Sequence, residues 1–320
     1  MKRVMVTGGT GFVGSNLTRR LLRERHEVHL LVRRGHDPWR IEAVRADVQL
    51  HEVQFDDLQG LTKTVETIAP DWVFHLAAYG AYSWQTDAQR IYATNLLGVV
   101  NLLDACLGVG FEVFVNTGSS SEYGLKDHPP AEDEIPEPNS CYSVAKTAAT
   151  LHCGHTARSR GANIRTLRLY SVYGAFEEPA RLLPTLIVNG LRGVIPPLVN
   201  PTIARDFVYV DDVCQAYLLA AETPVAEPGA VFNVGTGVQT TIEEAVSVAS
   251  ELLGVSAEPK WASMPDRRWD TKNWVADRSK IRSELGWEPR YGFRVGFREM
   301  VEWLRTEPGA LAFYESRLSL

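Results

Sequence analysis

Short apolar runs and amphipathic helical stretches alternate without a break from residue 2 to residue 169. Residues 2–7, 28–32, 48–55, 71–77, 112–117 and 164–169 read as buried strands, bounded by polar or turn-forming residues. Phe12, Val13, Leu17, Leu21 and Leu22 recur at helical spacing after the first strand, and 58–69, 87–107 and 140–158 carry further helical patterns. Pro70 stops the second helix. Strands joined through helices pair in parallel, which leaves both faces of the sheet covered. Right-handed crossovers then give an α/β, doubly wound parallel sheet. In such sheets ligands are expected beyond the carboxyl ends of the strands.

After Gly174 the regularity breaks, with prolines at 179, 184, 196, 197 and 201. A strand-then-helix pattern resumes over 205–221, and 231–234 reads as another strand. From about residue 255 the chain is richer in Trp, Arg and Pro. The expected organisation is a sheet domain over 1–174, rejoined by about 206–240, and a smaller lobe built from 175–205 and 255–320.

Hydrophobic residues make up 45% and charged residues 22%, with a net charge of −6 and no basic run, so nucleic acid is not an expected partner. No apolar run is expected to reach membrane-spanning length. Met1-Lys2-Arg3 leads straight into strand-like Val4-Met5-Val6, without the apolar stretch of a signal peptide, so a cytoplasmic location is expected. The four cysteines match neither a disulfide framework nor a zinc pattern. His152-Cys153-Gly154-His155 places two histidines one helical turn apart with no second ligand pair nearby, so no metal is expected.

Gly8, Gly11 and Gly14 lie between the first strand and the first helix. Glycines there allow a tight turn and let a pyrophosphate approach the backbone at a helix N-terminus, which predicts a dinucleotide site. An acidic residue at the end of the second strand would grip a ribose 2′-OH. Here that place is Val32, and Arg33 and Arg34 follow. Their guanidinium groups match a 2′-phosphate, so NADP(H) is expected over NAD(H). Asp57, followed by Leu58, either caps the adenine amino group or caps its own helix.

Tyr142 and Lys146 stand at i and i+4, on one face of a helix. A nearby ammonium favours the phenolate, so the tyrosine is expected to have a lowered pKa and to exchange protons near neutrality.

With these motifs in place the chain resembles the extended short-chain dehydrogenases/reductases, the group of sugar-nucleotide epimerases, dehydratases and reductases. Besides the glycine triplet and the Tyr142–Lys146 pair, the resemblance includes His75-Leu76-Ala77-Ala78, Asn95-Leu96-Leu97-Gly98, Arg168 with Tyr173-Gly174, and Arg205-Asp206-Phe207-Val208-Tyr209-Val210. It extends through Ala276-Asp277-Arg278-Ser279-Lys280 and Leu285-Gly286-Trp287, and so covers essentially the whole chain. It implies a Rossmann sheet with a C-terminal nucleotide-sugar-binding lobe. Gly8, Gly11, Phe12, Val13, Gly14, Leu76, Ala77, Ala78 and Asn95 would line the cofactor together with Tyr142 and Lys146.

The resemblance also implies roles around Asn116-Thr117-Gly118-Ser119-Ser120-Ser121-Glu122-Tyr123-Gly124. Ser119, five residues before Gly124, would orient the reacting oxygen, with Tyr142 as acid/base and Lys146 on the nicotinamide ribose. Family dehydratases carry an acidic pair where this chain has Ser120 and Ser121. A serine hydroxyl does not deprotonate a carbon acid unaided, which disfavours a dehydratase, and Glu122 is expected to serve the turn. The expected reaction is NADPH-dependent reduction of the C4 keto group of a nucleotide 4-keto-6-deoxyhexose. The alternatives are a nucleotide-sugar epimerase without net redox and a non-catalytic cofactor-binding protein. On the substrate side the implied contacts are Arg181, Arg205 and Arg267 for the diphosphate, Asp270 for the ribose, and Leu198 and Val199 for the base. Ser171, Ser120 and Ser121 would face the sugar, and Tyr79 and Tyr82, after the fourth strand, would either face it or pack in the core or a lid. The base itself stays open. A homodimer through helices 87–107 and 142–158 is the implied assembly.

Overall fold

A computed structural model describes residues 1–264 and 271–318. The main body runs β1 (Arg3–Thr7), α1 (Phe12–Arg23), β2 (Glu27–Val32), β3 (Gln49–Glu52), α2 (Leu58–Ile68), β4 (Trp72–His75), α3 (Ala88–Tyr92), α4 (Gly98–Val109), β5 (Val113–Ser119), α5 (Cys141–Arg160) and β6 (Ile164–Leu169). The chain continues through β7 (Ser171–Tyr173), α6 (Leu182–Leu191), β8 (Ala204–Arg205), β9 (Phe207–Tyr209), α7 (Val210–Glu222), β10 (Val231–Val234), β11 (Thr240–Thr241) and α8 (Ile242–Leu253). It closes with α9 (Ser279–Leu285), α10 (Phe293–Thr306) and α11 (Ala310–Leu318).

Seven strands form one parallel sheet in the order β3-β2-β1-β4-β5-β6-β10. This is the doubly wound α/β sheet that the alternating pattern dictates. Its strands are buried on both faces: Val4, Val6, Leu30, Phe74 and Val115 face one core, and Met5, Val73 and Phe114 face the other. The register sets Thr7 opposite His75 and His75 opposite Asn116. The carboxyl ends of β1, β4 and β5 therefore open onto one crevice, and the turns that follow them share it. The third strand is shorter than expected, because its pairing with β2 ends at Val32–Glu52, where β2 itself ends.

The long helix expected at 87–107 is α3 and α4 joined by one π-helical turn at Ala93–Leu97. Ala88–Val109 is long and apolar enough to cross a membrane by length and composition alone, contrary to the expectation of no such run. Its Val99, Leu102, Leu103 and Cys106 are fully buried against the sheet, as in the core helix of a globular domain.

A second core gathers α6, α8, α10 and α11 around Leu186, Ile187, Val246, Phe297, Met300, Leu304 and Tyr314. Helix α8 belongs to it. Ile281, Leu285 and Trp287 instead pack into the core of the sheet, although from sequence 255–320 is expected in the smaller lobe. Asp212 at the start of α7 explains this anchorage. Its backbone carbonyl accepts the Trp287 indole N–H at 2.8 Å, and its carboxylate accepts the N–H groups of Arg290 and Tyr291.

Candidate active site

The glycine turn is built for close approach. Gly8 has φ +71° and its carbonyl accepts the Gly11 N–H at 2.9 Å. A Cβ on Gly14 would lie 2.2 Å from the Gly8 oxygen, so any side chain there would break the turn. Helix α1 starts at Gly11 with no side-chain cap and no acidic residue in its first turn. Its first N–H groups and its positive dipole end are left for an anion. The Phe12 and Val13 side chains pack on the sheet core. Thr7 Oγ1 pairs with His75 Nδ1 at 2.8 Å and accepts the Ala77 N–H at 3.2 Å, locking the Leu76-Ala77-Ala78 turn against the glycine loop. The fit of this cradle to a dinucleotide pyrophosphate rests on those absent Cβ atoms and uncapped amides.

Val32 is buried at the end of β2, and Arg33 and Arg34 are exposed immediately beyond it. Asp57 accepts the Gly60 N–H at 3.0 Å, so in this structure it serves as the N-cap of α2. Leu58 beside it is 56% exposed. Asn95 is fully buried in the π-helical turn. Its side chain accepts from the Tyr79 N–H at 3.1 Å and donates to the Tyr79 carbonyl at 2.5 Å. Asn95 thus shapes the loop after β4.

Ser119 ends β5, and Ser140 caps α5 so that Tyr142 and Lys146 fall in its first two turns. The Tyr142 ring edge lies against the loop after β4, where a Cβ on Gly80 would be 3.3 Å from it. Burial pushes the Tyr142 phenol up to about 12, opposed by the Ser119 hydroxyl beside it and reinforced by the Glu122 charge. The sequence expectation of a lowered value is therefore overturned: desolvation outweighs every charge near the ring. Burial also pushes Lys146 down to about 8, with Glu122 pulling it back up. The Lys146 ammonium donates to the Thr117 carbonyl at 2.9 Å. Near neutral pH the resting pair is consequently a phenol and an ammonium. The Ser119 hydroxyl pairs with Ser121 Oγ at 2.8 Å. Ser120 is buried, 6% exposed.

Arg181, Tyr82 and Tyr217 are charged and phenolic neighbours of Tyr142 from other parts of the chain. Arg181 is exposed and lies 5.9 Å from the Tyr82 ring centroid. Tyr79 carries the Arg90 guanidinium over its ring at 4.3 Å. Arg205 sits 5.7 Å over the Trp274 ring and donates to the Ala204 carbonyl. Leu198 is buried in the core of the smaller lobe, and Val199 is half-buried next to it. Ser171 is half-buried and donates its N–H to the Asp206 carbonyl. The Asp206 carboxylate accepts from Thr236, Gly237 and Ala276 and so ties the returning sheet segment to the lobe. Arg267 and Asp270 lie outside the described residues.

Two features of the site were not drawn from sequence: the Thr7–His75 pair and the burial of Glu122 under Ser119. The glycine at 118 was the available signal for the last. A Cβ there would stand 2.7 Å from Glu122 Oε1 and 3.1 Å from Arg168 Cγ.

With this geometry in place, the comparisons with known proteins are specific. The model of the NAD dependent epimerase/dehydratase family matches residues 4–235. The chain is 29% identical to the UDP-glucose 4-epimerase of Mycolicibacterium smegmatis, over 95% of this chain and 99% of that protein. It is 28% identical to the dTDP-glucose 4,6-dehydratase of Streptomyces antibioticus, over 94% and 92%. Among solved structures, MoeE5 in complex with UDP-glucuronic acid and NAD superposes with a TM-score of 0.82 at 32% identity, covering 94% of this chain and 98% of that one. The match spans the glycine cradle, the β5 loop and the Tyr142–Lys146 helix together, and the chain belongs to the NAD dependent epimerase/dehydratase family, within the extended short-chain dehydrogenases/reductases.

Proposed function

We propose that this chain is a cytoplasmic nucleotide-sugar epimerase that inverts C4 of a nucleotide-diphosphate hexose or hexuronic acid with a nicotinamide dinucleotide as its resident cofactor. The observation that carries the reading is the complete set of Ser119 at the end of β5 with Tyr142 and Lys146 in the first two turns of α5, and two serines where a dehydratase needs its acidic pair. Relatives named as 4-epimerases over nearly the whole chain support it.

When bound, the dinucleotide supplies a reversible hydride acceptor. The chain's own contribution is proton management and orientation. Tyr142 takes the proton of the sugar hydroxyl in one direction and returns it in the other, while Ser119 fixes that oxygen by hydrogen bonding. A phenol that rests at about 12 is a poor base. A positive charge next to the ring is what would bring it into range. Arg181 and Arg205 are the cationic groups for the diphosphate. A homodimer through the exposed faces of α3–α4 and α5, where Leu97, Val144 and Leu151 face solvent, belongs to the same reading.

A second reading has its own observation. Val32 followed by exposed Arg33 and Arg34 suits NADP(H), and a neutral Tyr142 suits protonation of an alkoxide, both of which favour a net C4 ketoreductase. The two readings separate in one experiment. Purified protein is given UDP-glucose or UDP-glucuronic acid with catalytic NAD or NADP, and a nucleotide 4-keto-6-deoxyhexose with stoichiometric NADPH. C4 inversion without net cofactor turnover is the expected result. Stoichiometric NADPH oxidation with inert hexoses would replace the epimerase reading by the reductase. In either assay Tyr142→Phe should lose about 100-fold or more of turnover while keeping cofactor affinity.

A further inference from the structure

Glu122 has no solvent exposure, yet it carries a carboxylate within the loop that presents Ser119. One oxygen accepts the Ser119 N–H at 2.8 Å, and the other accepts Arg168 Nε at 2.9 Å. Arg168 is almost as buried, donates a second bond to the Glu132 carbonyl, and lies 4.5 Å over the Tyr123 ring. Tyr123 donates its hydroxyl to Asn233 on β10 at 2.7 Å. The Asn233 amide in turn holds the carbonyls of Pro130 and Asp277. A buried ion pair of this kind adds little net stability, because desolvation of both ions offsets their attraction. Space has nonetheless been cleared for it: β5 carries Gly118, which pairs in register with Arg168, where a side chain would collide with the Glu122 carboxylate.

We propose that Glu122 is a positioning residue for the active site: it clamps the Ser119 backbone to Arg168 on β6, aims the Ser119 hydroxyl at the reacting oxygen, and places a fixed negative charge beneath the Tyr142–Lys146 pair. The loop geometry supplies the first two effects. The third follows because the Lys146 ammonium is bonded to the Thr117 carbonyl, two residues before the Ser119 N–H that the buried Glu122 holds, and Glu122 is the strongest charge raising both Tyr142 and Lys146. Glu122 touches neither reacting atom and acts only through its neighbours. The turnover part of this inference rests on the function proposed above; the charge part does not.

The test uses the full chain and three variants, Glu122→Gln, Glu122→Asp and Ser119→Ala. Titration of Lys146 by NMR of 13C-labelled lysine, assigned with Lys146→Met, needs no substrate. In Glu122→Gln the Lys146 titration should move to lower pH, and in Glu122→Asp, which keeps the charge and shortens the reach, it should stay near the wild-type position. Turnover should fall on the order of 10- to 100-fold in both, with KM changed less than about threefold, as expected for an interaction made in the transition state. In a Ser119→Ala background, Glu122→Asp should cost less than about threefold more, because its effect passes through Ser119. An unmoved Lys146 titration in folded Glu122→Gln overturns the electrostatic role. Wild-type turnover in Glu122→Asp, or full additivity with Ser119→Ala, overturns the positioning role. If Glu122→Gln fails to fold, the Glu122→Asp cycle decides alone. Absence of turnover in the wild type with a shifted Lys146 titration would refute the proposed reaction, and the positioning role with it, and leave the charge role standing.

Discussion

The Lys146 ammonium is bonded to the main-chain carbonyl of Thr117 at 2.9 Å, two residues before Ser119 on the same strand. The helix that carries Tyr142 is thereby pinned to the strand that carries Ser119. The cost is a buried cation, held down at about 8 against an ordinary 10.5. Between those two values the unfolded chain binds more protons than the folded one, so stability rises with pH; below about 8 the penalty is constant. Lys146→Met should accordingly be more stable than wild type at neutral pH. The ceiling is about 3 kcal/mol, reduced by about 1 kcal/mol for the lost hydrogen bond. Urea melts at pH 7 and pH 9.5 should show that advantage shrinking, while turnover is lost.

His75 offers a second test of the same sign in a more acidic window. It is fully buried between β1 and β5, paired with Thr7 through Nδ1, and desolvation with the Lys146 charge pushes it down to about 3. The folded protein keeps a neutral imidazole while the unfolded chain protonates near 6.5. Stability should be insensitive to this group above pH 6.5 and should fall below it by about 1.4 kcal/mol per pH unit for the one proton. The difference between wild type and His75→Phe, measured by chemical denaturation from pH 7.5 to pH 5, isolates it from the carboxylates that titrate lower. An equal slope in both proteins would show that His75 is not held neutral.

The sheet was legible because a parallel sheet leaves its mark in strand-by-strand apolar runs, and the glycine turn because only glycine tolerates the 2.2 Å approach at Gly14. The assignment of Ser119, Tyr142 and Lys146 came from the Tyr142–Lys146 spacing and the family resemblance, and the structure brings Ser119 beside Tyr142. The acid/base electrostatics were not legible. A Tyr and a Lys at i and i+4 suggest mutual stabilisation, whereas desolvation of both is a property of the packed crevice and reverses the sign for Tyr142. Nor could spacing show that Asn95 bonds the Tyr79 main chain from a π-helical turn, since that turn has no sequence signature. Helix α9 and Trp287 joining the sheet core depends on Asp212, a contact far away in sequence.

Gly118 gives a third prediction, independent of substrate. Its added Cβ would meet Glu122 Oε1 at 2.7 Å, Thr166 Cγ2 at 2.9 Å and Arg168 Cγ at 3.1 Å, none of which is a free chain end. Gly118→Ala should lose about 1–3 kcal/mol of stability by overpacking and should displace Ser119, lowering turnover further than the stability loss explains. Gly108, exposed on α4 with nothing within 4 Å of its would-be Cβ, is the control. Gly108→Ala should be neutral or stabilising by up to about 1 kcal/mol. Thermal melts of the two variants side by side check the contrast.

Cofactor preference turns on the end of β2. Val32 is buried there and brings no acceptor for a ribose 2′-OH, and the two residues after it are exposed guanidinium groups with room to close on a 2′-phosphate. Arginine pairs with a phosphate through two parallel N–H groups at once, which a ribose hydroxyl cannot reciprocate. The double variant Arg33→Ala/Arg34→Ala should weaken NADPH at least about tenfold, the loss expected from one charge-assisted contact of about 1.5–3 kcal/mol, and should leave NADH within about threefold. Raising salt should erode NADPH affinity in the wild type and much less in the variant, since exposed charge pairs are screened. Fluorescence titration of both dinucleotides with both proteins gives the four constants needed. An unchanged ratio would mean that the arginines are ordinary solvated turn residues, and that the 2′ position is read elsewhere in the crevice.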